Sequence, residues 1–390
     1  MGSPCSANPL ILFRDDKKGR DVLFAAPTKI IRADTPEEFD TAWEALQRAH
    51  ASGKWLAGYL SYEAGYLLEP KLAPLLPEER KVPLLCFGVF DCPSDDALHH
   101  RSTDNTTFLC RPVAQWSFDD YAPRFERLHW HLREGDAYQG NLTFPVVAEW
   151  AGDPLVLFNL LSTRQPVRYA SYCDLGGPII LSRSPELFFE IDSDGWIETH
   201  PMKGTMPRGR SPEEDEKNRQ FLMNDPKNQA ENRMIVDLLR NDISLISETG
   251  SLEVPELFRV DSYTTVHQMI SRVRAKLKRD LSLRELFAAL FPCGSITGAP
   301  KISTMQILRQ LESGPRDIYC GSLGWIEPSG RMRFNVAIRT ISLFDKNHAI
   351  FNVGGGVVFD STAQAEYEEC LLKARFATGQ KPAPPNLTIN

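Results

Sequence analysis

The chain has 390 residues, of which 42% are hydrophobic, 24% charged and 10% aromatic. That balance excludes a wholly disordered, collagen-like or coiled-coil protein, and the length suits two or three units or one large one. With 44 Lys and Arg against 51 Asp and Glu, the net charge is −7, which is not the overall basic field of a nucleic-acid binder.

No run approaches the roughly 18 apolar residues of a membrane span. The apolar stretch Pro9–Phe13 is too short for a secretory signal, so no membrane association is expected and the location reads as cytoplasmic. No two of the eight cysteines have Cys-x-x-Cys spacing, and they read as reduced thiols.

In chain order, a capped helix opens at residues 35–50, followed by strand-like runs at 55–62 and 82–90. Residues 92–107, rich in Pro, Ser, Asp and Asn, read as a linker. A helix over 119–134 precedes strand-like runs at 142–150, 167–173, 178–182, 187–191 and 196–199. The middle turns helical at 212–223. There Asp225-Pro226 supplies an N-cap and an N1 proline for a second helix to about residue 246. Helices at 282–291 and 300–312 follow, then strands at 318–326, 333–344 and 349–359. A last helix over 362–376 is preceded by Ser361…Gln364, a capping-box pattern. Residues 379–390 read as a loose, Pro-rich tail. Strands and helices come in blocks rather than in βαβ alternation, which predicts an α+β fold with antiparallel sheets.

No P-loop, Gly-x-Gly-x-x-Gly, His-Glu-x-x-His or Gly-x-Ser-x-Gly motif is present. Four other segments carry chemistry. Lys203, in Pro201-Met-Lys-Gly-Thr, is either a surface lysine at a turn after a strand or, in a dry cleft, a nucleophile. Glu231 shares the inward stripe of Ile235 and Leu238 on its helix. It is either a boundary residue with a cationic partner or a metal ligand. The segment Gly294-Ser-Ile-Thr297-Gly298-Ala-Pro-Lys opens a helix, as an ordinary cap or an anion site. Gly354-Gly355-Gly356 reads as a loop breaking a strand and leads to Glu366, Glu369 and Lys373 on one helix face. That face is either solvated or suited to a hard cation such as Mg²⁺. Arg339 lies in a run apolar on both sides, which suggests bidentate binding of a carboxylate or phosphate. His267 is an acid/base or a satisfied core histidine.

These segments resemble, in order and spacing, the motifs of the chorismate-utilising enzymes. The pieces are Pro201-Met-Lys-Gly-Thr, Glu231-Asn…Asp237-Leu-Leu-Arg-Asn-Asp, Gly294-Ser-Ile-Thr-Gly-Ala-Pro-Lys, Ala337-Ile-Arg and Gly354-Gly-Gly…Glu366-Tyr-Glu-Glu. The resemblance covers about residues 118–375. It divides the chain into a variable N-terminal part of the fold, 1–110, a chorismate-binding region, 111–378, and the tail. Lys203, with Tyr138-Gln-Gly-Asn-Leu, resembles the aminodeoxychorismate synthase component I branch; anthranilate synthases of the family typically carry Ala at that position. Asn228 stands where relatives often have an acidic residue.

The resemblance implies two antiparallel sheets sandwiched in the core with helices outside. It implies Mg²⁺ held by Glu231 and Glu369, with Glu366 through water. It implies chorismate carboxylates held by Arg339, Lys373 and the backbone of Gly354, Gly355 and Gly356, in a pocket shaped by Thr297 and Gly298. It makes Glu186 the acid/base, Lys203 a covalent nucleophile and His267 a site residue. The product implied is 4-amino-4-deoxychorismate, on the route to 4-aminobenzoate and folate. The alternative is anthranilate synthase component I. No segment resembles a glutaminase and the chain ends at residue 390, so ammonia is expected from a separate glutamine amidotransferase subunit and a separate lyase downstream.

Overall fold

The computed structural model describes residues 9–94, 106–262, 266–345 and 347–385. Most of the linker read at 92–107 lies outside the described residues. Two antiparallel sheets form the centre. The first, of nine strands, runs Gly298–Ala299, Gln139–Ala151, His348–Val357, Thr340–Phe344, Ile179–Ser184, Tyr169–Asp174, Leu10–Asp15, Arg20–Ala25. The strand Phe108–Ala114 also pairs with Gln139–Ala151. The second, of ten, runs Met202–Pro207, Val266–Lys276, Trp196–Thr199, Leu187–Ile191, Met332–Asn335, Ser322–Ile326, Trp55–Leu60, Leu85–Phe90, Lys29–Ala33. Here Glu253–Ser262 flanks Val266–Lys276.

Their inner faces meet. Ile11, Phe24 and Ile180 of the first sheet pack on Ala57, Tyr59, Phe90 and Leu323 of the second, a dry layer between two pleated surfaces. Helices cover the outer faces. Phe125, Phe158 and Cys370, from Phe118–Glu134, Pro154–Arg164 and Ala363–Thr378, bury against Phe144 and Phe351 of the first sheet. Trp43, Ile235 and Phe287, from Pro36–Ala51, Pro226–Ser244 and Leu283–Leu290, bury against Phe189 and Phe334 of the second. The α+β architecture with helices outside a sandwich is the one expected. Among the described residues, no helix is long and apolar enough to cross a membrane.

The N-terminal part feeds both sheets. Leu10–Asp15 and Arg20–Ala25 extend the first, while Lys29–Ala33, Trp55–Leu60 and Leu85–Phe90 complete the second. The tail expected to be loose is pinned at Ala383, whose N–H donates to Pro112 O and whose carbonyl accepts from Ala114 N. The helix after Asp225 begins at Pro226, and the Asp225 side chain accepts from Asn228 N as a cap.

Several readings need correction. The run 333–344 is two strands in different sheets, Met332–Asn335 and Thr340–Phe344, with the chain crossing between the sheets at residues 336–339. Burial on both sides of this crossing keeps the residues apolar, so it reads like one strand. Lys203 sits in a strand, Met202–Pro207, not at a turn. Gly354–Gly356 continue the strand His348–Val357, in register with Thr143, Leu142 and Asn141. The last helix is capped at Thr362. The Ser361 hydroxyl instead accepts from Val358 N and donates to Glu366 Oε1, so no capping box forms there.

Candidate functional site

The chain passes from the first sheet to the second between Ile179–Ser184 and Leu187–Ile191, and back between Met332–Asn335 and Thr340–Phe344. Glu186 sits in the first passage and Arg339 in the second, at φ +51°, a left-handed backbone seldom taken by arginine. The passages are tied together by Val336 N donating to Glu186 O and Arg183 N donating to Arg339 O. Two charged side chains are thereby brought together where the chain crosses between the sheets.

A cavity of about 820 Å³ opens there. Its walls come from both sheets and from two helices. Lys203 enters from the edge strand of the second sheet, and Glu231 from Pro226–Ser244. Glu366, Glu369 and Lys373 enter from Ala363–Thr378, and Gly354 and Gly356 from the first sheet. The helix spacing does what the sequence suggested: residues 366, 369 and 373 share one face.

Burial is the largest influence on four of these groups, and it lowers the Arg339 guanidinium against the charge of Glu186. It raises the Glu186 carboxyl above its ordinary range, against the hydroxyl of Ser295, which donates to Oε1 at 2.8 Å, and against the nearby Lys203 and Arg339. It lowers the Lys203 amine, reinforced by Lys373 and opposed by Glu231, Glu186 and Glu369. It raises Glu366, helped by the charge of Glu369 and opposed by the Ser361 hydroxyl. Lys373 Nζ bridges Glu369 Oε1 at 2.8 Å and Gly354 O at 3.0 Å. Gly354 lies beyond Phe351, where the pairing of His348–Val357 with Thr340–Phe344 ends, and its carbonyl accepts from Lys373.

The glycines differ in role. A Cβ on Gly356 would lie 3.4 Å from Lys203 Nζ and 3.2 Å from Gln139 Nε2, so this position faces the amine. Gly355 faces the opposite way and is absent from the cavity lining; a Cβ there would meet Glu366 Oε2 at 2.7 Å. Thr297 and Gly298 also stand behind the wall. Thr297 is fully buried and donates to Cys293 O and Gly294 O. Gly298 pairs with Gly140 at φ +142°. His267 faces away from the cavity, buried between Asp215 Oδ1 at 3.0 Å and Ser262 Oγ at 2.8 Å, while its neighbour Gln268 lines the cavity. That is the satisfied core histidine of the two readings.

Sequence reasoning assigned no role to Ser295, Asn141, Tyr319 or Asn352, which also line the cavity. Ser295 and Asn141 lie inside quoted motifs. Asn352 opens the segment that leads to Gly354, in the strand His348–Val357, and Tyr319 lies in the buried turn before Ser322–Ile326, where it gives no signal of its own.

Three carboxylates, Glu231, Glu366 and Glu369, line one wall region and offer only hard oxygen donors. Glu369 makes ionisation of Glu366 costlier, a repulsion that a divalent cation would relieve. The donor chemistry therefore fits Mg²⁺. Among the described residues, however, no three acidic, His or Cys side chains are gathered closely enough to hold an ion as they stand. Glu369 is paired with Lys373 instead.

A family model described as a chorismate binding enzyme matches residues 8–379. Over 260 residues the chain is 41% identical to aminodeoxychorismate synthase component 1 of Klebsiella aerogenes, covering 67% of this chain and 57% of that protein. Over 273 residues it is 38% identical to an anthranilate synthase component 1 of Haloarcula marismortui, covering 70% and 55%. The chain thus spans little more than half the length of these relatives. The crystal structure of anthranilate synthase component I from Streptococcus pneumoniae TIGR4 matches with a TM-score of 0.75 at 24% identity, covering 96% of this chain and 93% of that one. That likeness concerns the fold.

Proposed function

The chain belongs to the chorismate-binding enzyme family, and from that premise we propose that it replaces the C4 hydroxyl of chorismate with an amino group, giving 4-amino-4-deoxychorismate. The observation that carries this reading is Lys203, whose amine lies in the cavity against Gly356 and is depressed by burial while Glu186 is raised. A depressed lysine is more often neutral, hence nucleophilic; a raised carboxyl is more often protonated, hence an acid.

In this reading Arg339 and Lys373 hold the substrate's carboxylates. Lys203 Nζ forms a bond to C2 as the ring double bonds shift and the C4–O bond breaks; Glu186 gives its proton to the departing hydroxyl, which leaves as water. Ammonia then bonds to C4, the double bonds shift back and the Nζ–C2 bond breaks. The enolpyruvyl group is kept. Glu231, Glu366 and Glu369 would hold Mg²⁺, which when bound would neutralise the ring carboxylate. Ammonia is assigned to a separate glutamine amidotransferase subunit, and conversion to 4-aminobenzoate to a separate lyase.

The second reading is anthranilate synthesis, with ammonia added at C2 and pyruvate lost, and the 38% identity to an anthranilate synthase component 1 favours it. An assay with chorismate, Mg²⁺ and ammonium salt at high pH separates the two. The proposal expects 4-aminobenzoate only when an aminodeoxychorismate lyase is added, and no anthranilate. Anthranilate and pyruvate formed without the lyase would establish the second reading.

A further inference from the structure

We propose that Arg316, which does not line the cavity, is a positioning residue that sets Glu186 and Lys203 at their working separation. The guanidinium is buried, and its donors reach two main-chain carbonyls of the cavity wall: Nη2 to Asn141 O at 2.6 Å and Nη1 to Ile296 O at 3.3 Å. Each carbonyl belongs to the support of one reacting group. Ile296 follows Ser295, whose hydroxyl holds Glu186. Asn141 is the cross-strand partner of Gly356, the residue against which Lys203 Nζ rests. One planar fork therefore spans from the acid's holder to the nucleophile's backstop.

Arg316 is itself fixed on every side. Nε and Nη2 pair with both oxygens of Glu312, at 2.9 and 2.6 Å, and Glu312 Oε1 also accepts from Thr143 N on the Asn141 strand. The Arg316 amide donates to Glu63 Oε1, and its carbonyl accepts from Asn352 Nδ2, a cavity-lining side chain. The Tyr62 ring lies 4.5 Å from the guanidinium carbon. Lysine has the charge but not the rigid fork, and cannot serve both carbonyls and both carboxylate oxygens together.

The inference rests on the proposed site, so its test reads chorismate consumption, whichever product forms, and also a signal that needs no turnover. R316K is expected to lower kcat at least a hundredfold, with chorismate KM within threefold. Lys203 labelling by an amine reagent, followed by mass spectrometry, is expected to change at least threefold in rate, because the wall behind Nζ has moved. Should R316K not fold, R316M/E312L replaces a buried ion pair by apolar residues of similar volume, often a neutral exchange for stability, while removing both donors to the wall. The same losses are expected in that folded double variant. If the folded variant keeps wild-type kcat and an unchanged Lys203 labelling rate, or loses only chorismate affinity, the proposal is overturned. A wild-type chain that consumes no chorismate defeats the proposed function instead, and the labelling rates then decide the role of Arg316 alone.

Discussion

Glu186 and Lys203 are driven towards each other's titration range by the same cause, burial, acting on opposite charge types. Turnover by the proposed route needs Glu186 protonated and Lys203 neutral. At low pH the lysine is protonated and the rate rises with pH; at high pH Glu186 has ionised and the rate falls. The profile at fixed free ammonia is therefore expected to be a bell. Glu186→Gln cannot give up a proton, so it should lose the falling limb and run about 10²- to 10⁴-fold slower, with turnover still rising through the titration of Lys203. A pH–kcat series on both proteins checks this, and an unchanged alkaline limb would remove Glu186 as the acid. Lys203→Ala should lose most product formation yet still bind chorismate, which isothermal titration reads directly. Full activity without the amine would end the covalent role.

At the scale of elements, two glycines of the same motif set behave differently under the same substitution. A Cβ on Gly355 comes too close only to the tip of the Glu366 side chain, which can swing away, and makes an ordinary contact with Cys370 Sγ. Gly355→Ala should therefore leave the melting temperature nearly unchanged while raising the Mg²⁺ concentration needed for half-maximal activity several-fold. An unaltered Mg²⁺ titration would argue against Glu366 as a ligand. A Cβ on Gly298 would lie 2.3 Å from the main-chain oxygen of Gln139, at a φ of +142° that side chains avoid. Gly298→Ala should cost at least about 2 kcal/mol of stability, a loss of several degrees on thermal unfolding.

The contrast also bears on what the sequence could reveal. The motif around residue 298 is legible as a motif, but whether its glycine serves a ligand or a neighbouring strand depends on a packing distance that no spacing encodes. Helices were readable because caps and apolar stripes are local, as at Asp225-Pro226. The strands Glu253–Ser262 and Val266–Lys276 give no strand signal because arginines and glutamates interrupt their alternation, and Leu10–Asp15, Arg20–Ala25 and Lys29–Ala33 give none because each is short and carries charged residues, unlike the equally short Trp55–Leu60 and Leu85–Phe90. The passage carrying Arg339 was hidden by its own burial. The cavity's charged residues were legible because Lys, Arg and Glu stand out among apolar neighbours. Tyr319 and Asn352, which do not, were not.

For the whole molecule, the sandwich holds a buried carboxyl whose burial outweighs the neighbouring Arg316. Glu63, at the start of the helix Ala64–Leu68, is 1% exposed, and its Oε2 has no hydrogen-bond partner among the described residues. Burial, and the neighbouring Asp317 carboxylate, push it up to about 8; the Arg316 amide and guanidinium oppose this, and Tyr66 packs beside it. In the unfolded chain the same group titrates near its ordinary value of about 4.5. Between those two values the folded state keeps a proton that the unfolded state has released. Unfolding is then favoured progressively as pH rises. The stabilisation is complete below about pH 4.5 and is lost towards pH 8, opposite in sign to a salt-bridged carboxylate. Other carboxylates with depressed values, such as Glu198 between His200 and Arg272, act in the other direction at lower pH. The contribution of Glu63 is therefore best read as a difference. Glu63→Gln keeps the shape and an oxygen for the Arg316 amide but cannot ionise. Its melting temperature is expected to fall less than that of the wild type between pH 5.5 and 8, by several degrees over the interval. Parallel curves for the two proteins across that range would mean that Glu63 is already ionised in the fold, beside the Asp317 carboxylate.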